Sequence, residues 1–316
     1  MPSDSRFWSV RFAALRYAVV WVVYGFMRLL VLLPFRWQIR LGKRCGALAG
    51  RLMRARREIA RRNLELCLPE LTAQDRESLL DRHFEALGAS IAETAMGWFG
   101  SVDRIRPLIR IEGREHLDAA LAKGRGAILF TGHLTSLELP PAVLGELWPN
   151  FCGMYKPQRN PAMNQLMNRG RLRNVRVLFA KDNVRGMLKA LKNNAVVWYA
   201  SDQSYGHKGS ALIRFFNEPA MTNTAICRIA KSSGAAVLPY FYRRLPDDSG
   251  YVVDIGAPLD DFPSDDPAHD VERLTRQLEN YIRLCPEQYL WIHQRFKGRP
   301  APYPDVYARS AARQSG

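Results

Sequence analysis

Apolar positions along the chain fall into three regimes. The first is an uncharged run, YAVVWVVYGFM from Tyr17 to Met27, followed by Arg28 and then LLVLLPF to Phe35. Together these approach the ~20 residues that span a bilayer. Arg28 inside the run is costly unless its head reaches the headgroup level. Three states fit the pattern: a transmembrane helix, an interfacial helix and a buried helix. The transmembrane helix is the expectation. No small-x-small site follows, which counts against a cleaved signal peptide.

The second regime, from Ala47 to about Phe99, has helical periodicity. Thr72 is placed as an N-cap, with Asp75 three residues on as the acid of a capping box. Leu79, Leu80, Phe84, Leu87, Ile91 and Ala95 then recur at helical spacing, so this segment reads as scaffold and His83 on it as structural. In the third regime short apolar runs alternate with helical segments. Strands are predicted at Leu108–Glu112, Gly126–Thr131, Ala195–Ala200, Ala235–Tyr242 and Tyr251–Ile255. Helices are predicted at Pro161–Arg173, Thr222–Ser232 and Val271–Leu284. GAILFT and AVVWYA are apolar throughout, as in strands covered on both faces. This alternation predicts an α/β fold, a mixed central sheet flanked by helices. The expected organisation is an anchor over residues 1–40, one domain over 41–300 and an extended tail over 301–316.

Charge sharpens the first regime. The chain of 316 residues has a formal net charge of +16, which favours a polyanionic partner. Up to Asn63 there are fourteen basic residues against only Asp4 and Glu58. The excess is thus packed around the apolar run, which points to an anionic membrane before nucleic acid. No nucleic-acid recognition motif accompanies it, so no nucleic-acid partner is expected. Ten basic residues between Arg36 and Arg62 follow the run and three precede it, which places the bulk of the chain on the cytoplasmic side. The five cysteines are widely spaced, with no CxxC or Cys/His ligand pattern. Neither a disulfide framework nor a metal site is expected, and no cofactor motif stands out.

Candidate chemistry centres on GHLTSLE, Gly132 to Glu138, directly after the apolar strand ending FT. A histidine at the carboxyl edge of a sheet sits where α/β folds bind ligands. It acts as a general base when a carboxylate fixes its tautomer. His133 and Glu138 are five residues apart, about 140° around a regular helix. They meet if His133 lies in the turn and Glu138 one turn into the next helix, which Pro140 and Pro141 would then end or bend. A hydrogen-bonded histidine at a strand end is the competing reading of H-x4-E alone.

Further blocks make the sequence resemble the late acyltransferases of lipid A biosynthesis, the lauroyl/myristoyl transferase family, closest to its lauroyl branch. They are LPFRWQ, RRNLELCLPEL, ETAMGWF, GHLTSLEL, YKPQRNP, GRLRN, GMLKALKNNAVVWYASDQSYG and PEQYLWIHQRFKGRP. The resemblance runs from about Leu33 to Pro300. It implies a glycerolipid-acyltransferase-like domain at the cell inner membrane. It also implies an acyl carrier protein thioester as donor and a hydroxyl of a Kdo-bearing lipid A precursor as acceptor. His133 and Glu138 fall on the family's H-x4-D/E motif, as the base and the group that orients it. Arg171 of GRLRN and Asp202 after the second buried strand are implied as supporting residues, Arg171 toward phosphate or oxyanion charge and Asp202 paired with Arg171. Lys156, Arg159, Arg173 and Arg185 are weaker candidates for substrate contact. The EGTRS-like phosphate block of the wider superfamily is missing, with SDQSYG in its place, which argues against glycerol-3-phosphate as acceptor. Another acyl length (myristoyl or palmitoleoyl), another glycolipid acceptor, a noncatalytic lipid carrier and, more remotely, a membrane-tethered nucleic-acid-binding protein remain as alternatives.

Overall fold

The computed structural model describes residue 18 and residues 20–204, 206 and 209–308. Its centre is a seven-stranded sheet in the order β1-β9-β8-β2-β5-β3-β4. The strands are β1 (Ile109–Glu112), β2 (Ala127–Thr131), β3 (Phe151–Tyr155), β4 (Val177–Ala180), β5 (Val196–Ala200), β8 (Ala236–Arg244) and β9 (Tyr251–Ile255). All neighbours run parallel except β8 and β9. The mixed sheet read from the sequence is therefore present. Every residue of β2 is buried, because helices cover both faces and leave only backbone groups to be satisfied by the ladder. Two strands were not predicted: β3 carries Gly153 in its middle, and β4 is a four-residue edge strand. A separate antiparallel hairpin, β6 (Ser210–Phe215) and β7 (Glu218–Asn223), occupies residues where a helix start and a loop were expected. Phe216 turns that hairpin with φ 54°.

Helices α1 (Phe35–Leu52), α2 (Arg54–Cys67) and α3 (Ala73–Phe99) form the scaffold beside the sheet. Thr72 caps α3 by accepting from the Asp75 N–H, as its sequence implied. His83 is buried on α3 with Nδ1 against the Glu287 carbonyl at 3.0 Å, and burial pushes its pKa down to about 4. It is a neutral structural histidine. Helices α1 and α3 touch backbone to backbone. A Cβ on Gly46 would lie 2.1 Å from the Phe84 carbonyl oxygen, and one on Gly88 2.0 Å from that of Gly42. Only glycine permits this approach.

The expected transmembrane helix is not found among the described residues, of which no helix is long and apolar enough to cross a membrane. Residues 20–30 are helical and end in a turn at 31–33. Val20, Met27, Leu30 and Val31 are buried with Ile39, Ala92 and Trp98, so one face of this segment packs on protein. Arg28 is exposed, with its guanidinium 5.5 Å over the Phe99 ring. Tyr17, at the start of the run, lies outside the described residues. Helix α1 runs unbroken through position 40, where the sequence placed the end of an anchor. Among the described residues beyond 300, Tyr307 donates to Asn63 Oδ1 at 2.5 Å and packs on the core; the rest of the expected tail, residues 309–316, lies outside the described residues.

Candidate active site

The remaining helices are α4 (Arg114–Ala122), α5 (Pro141–Leu147), α6 (Pro161–Arg171), α7 (Val184–Lys192), α8 (Ala225–Ser233) and α9 (Pro267–Leu284). Strands β2, β5, β3 and β4 are mutually parallel, so their carboxyl ends share one edge of the sheet. His133 follows β2, Lys156 follows β3, Lys181 follows β4, and Asp202 with Gln203 follow β5. Sheet register decides the central pairing. Thr131 is opposite Ala200, so His133 and Asp202 each lie two residues beyond a matched pair. Asp202 Oδ1 accepts from His133 Nδ1 at 2.5 Å, and Oδ2 accepts the His133 backbone N–H at 2.9 Å. With Nδ1–H held by the carboxylate, Nε2 is left as the proton acceptor.

The electrostatics agree with that geometry. Burial alone would lower the His133 pKa, but the Asp202 charge and hydrogen bond reverse this and hold it above its ordinary value, against a smaller downward pull from Arg171. Burial would raise Asp202, yet His133 holds its carboxyl well below the usual carboxylate range. The loop carrying His133 is fixed from the other side. The Leu290 N–H donates to the His133 carbonyl at 3.0 Å and the Thr135 N–H to the Gln288 carbonyl at 2.8 Å. Leu134 and Tyr289 form an isolated antiparallel bridge. Thus PEQYLWIHQRF braces the histidine loop. Asn63 of RRNLELC braces it in turn, its amide donating to the Trp291 and His293 carbonyls at 2.6 and 2.8 Å.

Glu138 does not orient His133. Its carboxylate takes a bidentate pair with Arg171, with Nε at 2.9 Å from Oε1 and 3.1 Å from Oε2 and a third bond from Nη2. Trp98 Nε1 adds a hydrogen bond at 2.9 Å. Asp202 accordingly pairs with His133 rather than with Arg171, so the expected pairings are exchanged. The reason is local. Glu138 sits in a turn rather than a helix, and Pro140 and Pro141 begin α5 instead of ending a helix. Proline is favoured at a helix start, where its missing N–H costs nothing. The ETAMGWF block explains how Glu138 is held. A Cβ on Gly97 would lie 2.1 Å from the Glu138 carbonyl oxygen. Glu93 is buried and accepts from Arg244 Nη1 and, at 2.9 Å, from the Tyr251 hydroxyl, which ties α3 to β8 and β9.

His133, Glu138 and Arg171 line a single cavity of about 370 Å³, toward the small end of ligand pockets. Its apolar wall includes Phe151, Val175, Leu178 and Trp198, and Lys156, Gln158 and Lys181 stand on its polar side. Arg171 binds Glu138 through Nε and Nη2, and among the described residues no protein acceptor engages Nη1. Of the weaker candidates only Lys156 reaches the cavity. Arg173 donates to the Trp98 and Gly100 carbonyls and so splices α6 to α3. Arg159 and Arg185 are exposed outside the lining. Three residues near the dyad escaped sequence reasoning as site components. Trp98 binds Glu138, Trp198 sets its ring edge-on to His133 at 6.3 Å, and His293, pushed down to about 4 by burial, lies near both dyad members. All three lie in blocks that carried the resemblance, which was the available signal.

A base at the cavity wall paired with a buried carboxylate, a cation with a free donor edge and an apolar cavity suit acyl transfer to an O–H group. The family described as bacterial lipid A biosynthesis acyltransferase matches residues 7–298. The lipid A biosynthesis lauroyltransferase of Escherichia coli K12 is 38% identical over 92% of this chain and 95% of its own length. The chain belongs to the lipid A biosynthesis acyltransferase family. The palmitoleoyltransferase of the same organism is 37% identical over 92% of this chain and 95% of its own, and the myristoyltransferase 26% over 93% and 91%. This acyltransferase is therefore about equally similar to the lauroyl and palmitoleoyl relatives and less similar to the myristoyl one. Among solved structures, the 1-acyl-sn-glycerophosphate acyltransferase of Thermotoga maritima covers 73% of this chain and 97% of its own. The identity is 15% and the TM-score 0.35, too loose a likeness to bear on site or substrate.

Proposed function

We propose that this acyltransferase moves a fatty acyl group, lauroyl as first assignment, from acyl carrier protein to a hydroxyl of Kdo-bearing lipid IVA. The observation that carries the mechanism is the Asp202–His133 pair, whose histidine lines the same cavity as Arg171. His133 Nε2 removes the acceptor hydroxyl proton as the oxygen attacks the thioester carbonyl carbon. Arg171 balances the oxyanion that forms. Collapse breaks the C–S bond, and the departing thiolate takes the proton back from the imidazolium. No acyl-enzyme is needed. Asp202 fixes the tautomer and stabilises the transient cation, while Glu138 holds the Arg171 fork in place.

The acyl chain is assigned to the apolar wall. Gly153 lies in that wall, and a Cβ there would meet only the Leu178 side chain, at 3.2 Å. A larger residue would therefore fill cavity rather than clash with backbone. Mass spectrometry of the product formed from the precursor and a panel of acyl carrier protein thioesters tests the proposal. Wild type is expected to add one acyl group, and Gly153→Leu to shift the preferred donor to shorter chains by several carbons. If the variant keeps the wild-type preference, the chain lies elsewhere; if no acceptor gains mass in wild type, the function fails.

Attachment to the inner membrane, with the site facing the cytoplasm, belongs to the same proposal. It is supported by the outer face of the 20–30 helix and of α1. Trp21 is 68% exposed and Trp37 60%, with Leu29, Leu48 and Leu52 also exposed among the exposed Arg36, Arg40, Arg44 and Arg51. Large apolar groups interleaved with cations fit an interfacial helix on anionic lipid. Wild type is expected to float with anionic vesicles, and the Trp21→Glu, Leu29→Glu, Trp37→Glu variant to stay behind. Equal flotation would contradict this surface.

A further inference from the structure

A second cationic surface begins at the cavity and is built differently from the first. Lys156 and Lys181 line the cavity at the ends of β3 and β4. Four residues beyond Lys181, α7 presents Arg185, Lys189 and Lys192, spaced i, i+4 and i+7, so they share one face over about 10 Å of helix. All three are exposed, and among the described residues none has an acidic partner. The acid nearest in sequence, Asp182, is exposed and pairs with Lys181 at 3.3 Å. The opposite face of α7 is spent on the core through Met187 and Leu191. This row lacks the large exposed apolar groups that accompany the α1 cations; Val184, 41% exposed, is the only large apolar residue exposed on α7. A row of cations without apolar groups to insert suits an acidic protein surface better than a bilayer.

We propose that the Arg185–Lys189–Lys192 face of α7 is the docking surface for the acidic carrier protein. Lys181 and Lys156 then meet the phosphate of the carrier's thioester arm where it enters the cavity. This rests on the carrier-protein donor reading above. Because α7 starts at the sheet edge that holds His133, a carrier seated on it delivers its thioester along the wall from Lys181 to the dyad. Rim charges of this kind act on encounter and affinity more than on the chemical step.

The test compares one acyl group on two donors, acyl carrier protein and coenzyme A, for wild type and the Arg185→Glu, Lys189→Glu, Lys192→Glu variant. The variant is expected to lose about tenfold or more in kcat/KM for the carrier-bound donor, mostly through KM. Its turnover of the coenzyme A thioester should stay unchanged, which also shows that it is folded. Raised salt should weaken the carrier reaction of wild type and not that of the variant. Lysines introduced in place of carrier acids should partly restore the variant. An equal loss on both donors, or no loss on the carrier donor, overturns the proposal. Loss of binding to anionic vesicles with an unchanged carrier KM assigns the row to the membrane and overturns it as well. If wild type shows no preference for the carrier over coenzyme A, the donor reading itself has failed, a result distinct from all of these.

Discussion

His133→Ala is expected to leave a folded protein whose acyl transfer is slower by about 10²–10⁴-fold, or about 3–5 kcal/mol on the barrier. The side chain reaches the cavity, so its removal creates no closed void, and the loop keeps its backbone bonds to Gln288 and Leu290. Circular dichroism should therefore match wild type, while thermal unfolding should occur at a lower temperature because the buried Asp202 carboxylate loses its partner. Binding of acceptor and donor should persist, and the loss should appear in kcat. Asp202→Asn should lose a large part of the same factor, because an amide fixes neither the tautomer nor the imidazolium charge. A His133→Ala protein that is folded and transfers at the wild-type rate would remove the base from the mechanism.

The second large effect concerns Arg171 and Glu138 as a unit. Arg171→Ala is expected to cost about 10²–10³-fold in kcat through loss of oxyanion stabilisation. Arg171→Lys should not rescue it, since a point charge cannot hold two Glu138 oxygens and still offer a free donor edge. Glu138→Ala should approach the same loss although Glu138 handles no proton, because Arg171 then loses the partner that aims it. The double variant should be little worse than Arg171→Ala alone. Steady-state rates for the four proteins form a double-mutant cycle, and strong non-additivity is the expected outcome. Additive losses would mean that Glu138 acts independently, as the sequence spacing alone suggests.

How far the sequence carried is best seen in that pair. H-x4-E pointed to both functional residues and to their place after a strand, because a continuous apolar run is readable without knowing its neighbours. It also suggested that the two side chains serve each other, since proximity in sequence is the only proximity a single chain displays. The true partner of His133 is 69 residues away and is selected by the β2–β5 register. Likewise AILFT, VVWYA and YVVDI were legible as strands. FCGMY was not, because Gly153 interrupts it, and the hairpin was obscured by Pro219 within its second strand. The apolar amino-terminal run was visible, but its length could not reveal that one face is spent on α3. Resemblance of the later blocks supplied their importance, and the fold supplies their reason: Trp98 and Gln288 hold the one loop that carries both His133 and Glu138, and Asn63 holds the 291–293 segment that braces it.

The most direct check on the dyad is the pH dependence of kcat/KM in wild type and Asp202→Asn. The base must be neutral to accept a proton, so the rate rises with pH through the His133 pKa. Asp202 holds that pKa above the ordinary histidine value of about 6.5, and the wild-type acid limb is expected above that pH. Without the Asp202 charge, burial and Arg171 both favour neutral imidazole. The limb should then move to lower pH while the plateau rate falls. An acid limb that stays in place, or moves upward, in Asp202→Asn would contradict the Asp202–His133 dyad.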